Sequence, residues 1–200
     1  MEIKNIIFDF GGVVMDWDPR YLYKDIFNDT DEMEYFLTEV CTLEWNATLD
    51  EGKSFSDGVA ELLPKFPQYK KEIKLYHTNW IKMIAGEIKK NTSLIPLVKE
   101  NYRLFGLTNW SAETFPLVFH DYPFFKELEG IVVSGEEKVI KPNPKIYQIL
   151  LSRYNINAEE SLFIDDNKDN IEAAQKLGFQ TIHLAEKVDL KHEFEKRNLI

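Results

Sequence analysis

Apolar positions along the chain follow two rhythms. Five short runs, Ile3 to Phe8, Leu104 to Thr108, Gly130 to Val133, Ser161 to Ile164 and Thr181 to Leu184, are near-continuous and rich in β-branched or aromatic residues. Runs of that kind read as parallel strands buried on both faces, since a half-exposed strand would alternate. Helical spacing separates the later runs: Pro144 opens Ile146, Tyr147, Ile149 and Leu150, and Ile171, Ala174 and Leu177 share a face before Gly178, a C-terminal cap. Strand alternating with helix predicts an α/β fold, a parallel sheet covered by helices.

Between about Trp17 and Glu87 the rhythm changes. Met33, Phe36, Leu37 and Val40 keep helical spacing, as do Val59, Leu62 and Leu63, and then Ile73, Tyr76, Trp80 and Ile84, with no convincing strand among them. Asp50-Glu51-Gly52 and Leu63-Pro64-Lys65-Phe66-Pro67 read as the connections. The expected organisation is a core of residues 1–16 and 88–200 with a helical cap, 17–87, inserted after the first strand.

With 200 residues, 44% of them hydrophobic and 14% aromatic, the chain can bury a sizeable core. Its formal net charge of −10 argues against nucleic acid or an anionic membrane surface as a partner. No run reaches the ~18 apolar residues of a membrane span, and Ile3 to Phe8 is too short for a secretory leader, so a cytoplasmic protein is expected. Cys41, the only cysteine, lies among Phe36, Leu37 and Val40 and reads as a small core hydrophobe; His77, on an apolar helix face, reads as a core histidine.

In open α/β sheets ligands bind outside the carboxyl ends of the strands. The first strand delivers Asp9 there, the second Thr108 and Asn109, the segment after the third Lys141, and the fourth Asp165 and Asp166. Asp9 ends an apolar run, where an unpaired charge costs several kcal/mol unless a partner or cation holds it. Carboxylates gathered from Asp9, Asp165 and Asp166 repel one another, and a hard cation such as Mg²⁺ is the natural remedy. Thr108 offers a hydroxyl and Lys141 a point charge to phosphoryl oxygens, while Gly11 and Gly12 allow close backbone approach to a ligand. Together these describe a phosphoryl-transfer site with Asp9 as nucleophile. Singly, each residue also suits a cap or a turn; the ordered set is what points to chemistry. Asp9-Phe10-Gly11 repeats a protein-kinase triplet, but the kinase elements that precede it cannot fit before residue 9.

These stretches resemble the haloacid dehalogenase superfamily of hydrolases, in the subgroup whose helical cap lies between the first and second motifs. The likeness covers the whole chain: Ile6 to Val14, Leu107-Thr108-Asn109, Lys141-Pro142-Asn143-Pro144 after Val133-Ser134-Gly135-Glu136, and Phe163-Ile164-Asp165-Asp166-Asn167. It implies a Rossmann-like core in which Asp9 attacks phosphorus and forms an aspartyl-phosphate. Mg²⁺ would be held by Asp9, the Gly11 carbonyl and Asp166, with Asp165 and Asn170 at or near the metal. Thr108, Asn109 and Lys141 would bind the phosphate, with Lys141 also steadying Asp9. The implied partner is a small phosphorylated metabolite, a sugar phosphate by likeness to the α-D-glucose-1-phosphate phosphatase branch; monomer and homodimer stay equally open.

At Gly11 the chain departs from the phosphatases of this superfamily, which usually carry there an aspartate that protonates the leaving group and then activates water. Asp16, Asp18, a cap residue, or a leaving group good enough to need no acid are the alternatives, although Asp16 and Asp18 suit a solvated turn before Pro19. Trp17, Trp45 and Trp110 are candidate pocket residues. Two rival functions stay on the table: a metal-independent 2-haloacid dehalogenase, disfavoured by the acidic pair Asp165-Asp166, and a non-catalytic binder of a phosphorylated ligand or protein.

Overall fold

The computed structural model describes residues 2–200. Its strands are β1 (Asn5–Phe8), β2 (Met15–Trp17), β3 (Ile84–Glu87), β4 (Arg103–Thr108), β5 (Gly130–Val133), β6 (Ser161–Asp165) and β7 (Gln180–His183). Five of them form one parallel sheet in the order β5-β4-β1-β6-β7. These are the five apolar runs of the sequence, displaced by a residue or two at their ends.

Successive strand residues feed opposite faces. Ile7, Phe105, Leu107 and Phe163 pack with Ile146, Tyr147, Leu150, Ile171 and Ala174 of the helices Pro144–Tyr154 and Lys168–Lys176. Ile6, Phe8, Leu104, Leu162 and Ile164 join the larger cluster on the other face. Both faces are therefore covered, which is why the strands read as apolar without alternation. Gly178 follows the second of these helices at φ +95°, the left-handed position that glycine takes at a helix end.

From β1 the chain goes to β4 and then β5 on one side, and returns to β6 on the other. The strand order reverses around β1, so the crevice beyond the carboxyl ends of β4, β1 and β6 is the topological switch point of the sheet.

Residues 20–83 carry the helices Thr30–Tyr35, Leu43–Asp50, Phe55–Leu62 and Lys70–Thr78. The first three are N-capped by Asp29, Thr42 and Ser54, whose side chains accept from backbone amides of the first turn. The stretch read as strand-free nevertheless ends in β3, which pairs antiparallel with β2. Ile84, which continues a helical spacing in the sequence, lies instead in that ribbon. Helical winding stops at Asn79, and Trp80–Met83 form a single tighter turn. His77 also departs from expectation. It is exposed, stacks on Phe55 at 4.6 Å and approaches Glu113 at 3.6 Å, so it bridges the helical insertion to the sheet side. Cys41 is buried, in keeping with its apolar surroundings, and among the described residues no helix is long and apolar enough to cross a membrane.

Candidate active site

The strands around the switch point deliver polar residues at their carboxyl ends. Asp9 follows β1 directly: its amide donates to the Ile164 carbonyl at 2.9 Å, extending the β1–β6 ladder, and its Oδ1 accepts the Phe10 amide at 2.7 Å. The chain then reverses, with the amides of Val14 and Met15 both donating to the Phe10 carbonyl. Lys141 comes from the loop before the helix Pro144–Tyr154 and is only 2% exposed. Its Nζ lies 2.8 Å from Asp9 Oδ1 and 2.7 Å from Asp165 Oδ2, so a single ammonium links the ends of β1 and β6.

Asn109 positions that ammonium from behind. Its Oδ1 accepts the Lys141 amide at 2.8 Å and its Nδ2 donates to the Lys141 carbonyl at 3.0 Å, so its amide group clasps the Lys141 main chain. The adjoining Thr108, fully buried at the end of β4, has a hydroxyl with no partner among the described residues. A ligand oxygen would satisfy it, as buried polar groups require.

Asp165 is 0% exposed and its oxygens are engaged by the protein. Oδ1 accepts the Asn167 amide at 2.8 Å and Asn170 Nδ2 at 3.1 Å, and Oδ2 accepts Lys141 Nζ and again Asn170 Nδ2. Asp166, by contrast, is exposed. Its neighbour is Gly12, at φ +70°, where an added Cβ would stand 2.3 Å from Asp166 Oδ2. The sequence assigns Gly12 to close ligand approach; here the missing side chain makes room for a carboxylate. Gly12→Ala is expected to cost about 1–3 kcal/mol of stability through the left-handed backbone and the displaced Asp166. Thermal unfolding with and without MgCl₂ checks it: the midpoint should fall and the metal-induced rise should shrink.

Carboxylate oxygens of Asp9, Asp165 and Asp166 lie within 4.8 Å of one another. Three carboxylates against the one Lys141 ammonium leave two formal negative charges, the complement of a divalent cation, and hard oxygen donors suit Mg²⁺. The pKa values carry the same strain. Burial pushes the Asp9 carboxyl up to about 8, Lys141 opposes that rise, and Asp165 adds to it. Burial and then Asp165 push Asp166 upward. Burial works against the Lys141 ammonium, but the Asp165 and Asp9 charges outweigh it and hold its pKa above the usual value. A cation beside these groups would favour their charged forms.

Beyond Gly11 lies a cavity of about 80 Å³, lined by Gly11, Asn109 and Trp110 on the sheet side and by Trp17, Asn46, Asp50 and Trp80 on the other. A Cβ at Gly11 would meet nothing within 4 Å. Trp17 and Trp110 thus line the pocket as the sequence allowed, whereas Trp45 packs on Tyr76 at 4.9 Å and donates to the Gly58 carbonyl. Asp16 and Asp18 are engaged elsewhere, Asp16 with the Tyr21 hydroxyl at 3.0 Å and Asp18 with the Arg20 amide at 2.8 Å. Asp50, which the sequence offers only as the start of a turn, is the carboxyl of this cavity. Its one sequence signal is the breaker Gly52 that follows, which says where a helix ends and nothing about what its last residue faces.

The sequence model of the haloacid dehalogenase-like hydrolases matches residues 6–184. Over 96% of both chains, the protein is 24% identical to a D-ribitol-5-phosphate phosphatase of Bacteroides thetaiotaomicron. It is 23% identical to a phosphorylated carbohydrates phosphatase of Thermotoga maritima, over 90% of this chain and 84% of that one. Its fold superposes with a TM-score of 0.77 on the magnesium complex of a haloacid-dehalogenase-family enzyme from Bacteroides thetaiotaomicron, at 21% identity over 97% of this chain and 99% of that one.

Proposed function

The chain belongs to the haloacid dehalogenase-like hydrolases, and on that premise we propose that it is a magnesium-dependent phosphatase of a small phosphorylated metabolite, a sugar or polyol phosphate. Its class is that of phosphoric monoester hydrolases. The observation that carries the reading is the buried linkage of Asp9, Lys141 and Asp165 beside Asp166 at the switch point of the sheet. Relatives acting on ribitol 5-phosphate and on phosphorylated carbohydrates support the substrate class.

Asp9 is the nucleophile: its Oδ1 is fixed by Lys141 and by the Phe10 amide, which leaves the other oxygen to attack phosphorus. Lys141 neutralises the nucleophile before attack and meets phosphoryl charge as it develops. Asn109 serves mainly by clasping Lys141, and the Thr108 hydroxyl donates to a phosphoryl oxygen. Gly11 keeps the backbone open toward the ligand, and Gly12 leaves room for the Asp166 carboxylate. Asp9, Asp166 and the Gly11 carbonyl are the ligands for Mg²⁺; Asp165, its oxygens already taken, orients Lys141 beside them. Bound Mg²⁺ supplies the charge that relieves carboxylate repulsion and polarises the phosphoryl group. Residues 17–87 act as the cap over the core of 1–16 and 88–200, with the β2–β3 ribbon as its root. Closure of such a cap excludes bulk water from the reaction.

Release of inorganic phosphate from para-nitrophenyl phosphate and from a panel including ribitol 5-phosphate tests the reading. Release that depends on Mg²⁺ and stops with EDTA is expected. Chloride release from L-2-chloropropionate, indifferent to chelator, would instead identify a dehalogenase, and silence in both assays a binding protein.

A further inference from the structure

We propose that Asp50, carried by the helical insertion, is the general acid and base of the reaction, standing in from across the cavity for the carboxylate that Gly11 lacks. The proposal rests on the phosphatase reading above. Four observations place Asp50 there. It lines the same cavity as Gly11 and Asn109, beside the nucleophile's turn. The space beside Gly11 is open, so no group on the sheet side fills it. Asp16 and Asp18, the other nearby carboxylates, are bonded elsewhere. Asp50 is also fixed: Asn46 Nδ2 donates to its Oδ2 at 2.8 Å, Tyr76 Oη donates to Asn46 Oδ1 at 3.0 Å, and the Ser134 hydroxyl donates to its carbonyl at 2.6 Å, tying the end of the helix Leu43–Asp50 to the end of β5.

The surroundings suit the task. Burial among Trp17, Trp80 and Trp110 pushes the Asp50 carboxyl up to about 7, and the Ser111 main chain only partly restrains it. Asn46 on its own helix is neutral; the titratable group facing it is the Tyr76 phenol, itself raised well above its usual value by burial first and then by surrounding anions that include Asp50 and Asp18. No ammonium or guanidinium pairs with the Asp50 carboxyl among the described residues. A carboxyl poised near neutrality can both give and take a proton.

In the first half-reaction Asp9 Oδ bonds to phosphorus as the bond to the ester oxygen breaks. The departing oxygen takes the Asp50 proton and leaves as an alcohol. In the second, water attacks the phosphorus of the aspartyl-phosphate and passes its proton to the Asp50 carboxylate. Phosphate leaves, and the Asp9 carboxylate and the Asp50 acid are restored.

The test compares an alkyl ester, glycerol 3-phosphate, with para-nitrophenyl phosphate, whose leaving group needs no acid. Asp50→Asn should lower kcat on the alkyl ester about 100-fold or more. On the nitrophenyl ester the loss should be about threefold or less in the burst of the first turnover. The alkaline limb near pH 7 of kcat/KM for the alkyl ester should vanish. Adding Gly11→Asp, for which there is room, should recover alkyl-ester turnover in the Asp50→Asn background. Equal losses on both esters, or none on either, would overturn the assignment. Failure of the nucleophile reading shows differently: Asp9→Asn would then leave the nitrophenyl ester still turning over.

Discussion

Asp9→Asn is expected to lower phosphate release by at least ~10⁴-fold, the scale on which removing a covalent nucleophile acts. The amide is nearly isosteric, and its oxygen can still accept from Lys141 Nζ and the Phe10 amide, both of which now meet Asp9 Oδ1. It cannot attack phosphorus, and it removes one of the three carboxylates that gather here. The fold should survive. In metal-free protein the melting midpoint should stay within a few degrees of wild type or rise, because a buried carboxylate whose pKa is about 8 is lost along with its repulsion toward Asp165. Phosphate assay at saturating substrate and calorimetry check both halves. Turnover near the wild-type rate would remove Asp9 from the chemistry.

Lys141→Met should cost stability as well as turnover. The ammonium is enclosed, with its side chain 0% exposed, and it holds Asp9 and Asp165 at 2.8 and 2.7 Å. Methionine fills most of the volume but leaves two buried carboxylates facing each other. Breaking such a linkage by removing one partner costs about 3–5 kcal/mol, or about 10 °C in melting temperature for a chain of this length. The loss depends on pH in a definite direction. Without Lys141, which holds it down, the folded-state pKa of Asp9 rises further above that of the unfolded chain. A carboxyl raised in this way contributes stability that is intact at low pH and is lost as pH rises through its folded value. The gap between variant and wild type should therefore be smallest near pH 5 and open as pH rises through about 8, where the wild-type Asp9 ionises and the variant's does not. Calorimetry across that interval reads it, and a gap that widened toward low pH would contradict the arrangement.

The two outcomes reflect which parts of this protein its sequence spells out. The central strands are legible because helices cover both faces of the sheet, so Ile6-Ile7-Phe8 or Leu162-Phe163-Ile164 must be apolar at every position. The β2–β3 ribbon is not legible: Asp16, Gly86 and Glu87 give it no apolar run, and its pairing is made between segments about seventy residues apart. The chemistry is legible for a related reason. A parallel sheet delivers whatever ends its strands to one crevice, so Asp9, Thr108 and Asp165-Asp166 announce themselves by position.

Roles that depend on what a side chain meets across the fold are not written in any one stretch. Asn109 sits beside Thr108 as though for a ligand, yet both ends of its amide turn to the Lys141 main chain. Asp165 and Asp166 are adjacent and chemically identical, but β6 aims one inward, to Lys141 and Asn170, and leaves the other open. Gly12 answers to Asp166, some 150 positions away. Asp50 reaches the cavity only because the helical insertion folds back over the sheet, with Ser134 holding its end.

Whether Asp9 carries the phosphoryl group is read by rapid acid quenching of the enzyme with ³²P-labelled substrate in the presence of Mg²⁺, followed by peptide mapping. Label is expected on the peptide containing Asp9, absent when EDTA precedes substrate and absent in Asp9→Asn. Turnover that continues with no label on that peptide, or label retained after Asp9→Asn, would rule out Asp9 as the nucleophile.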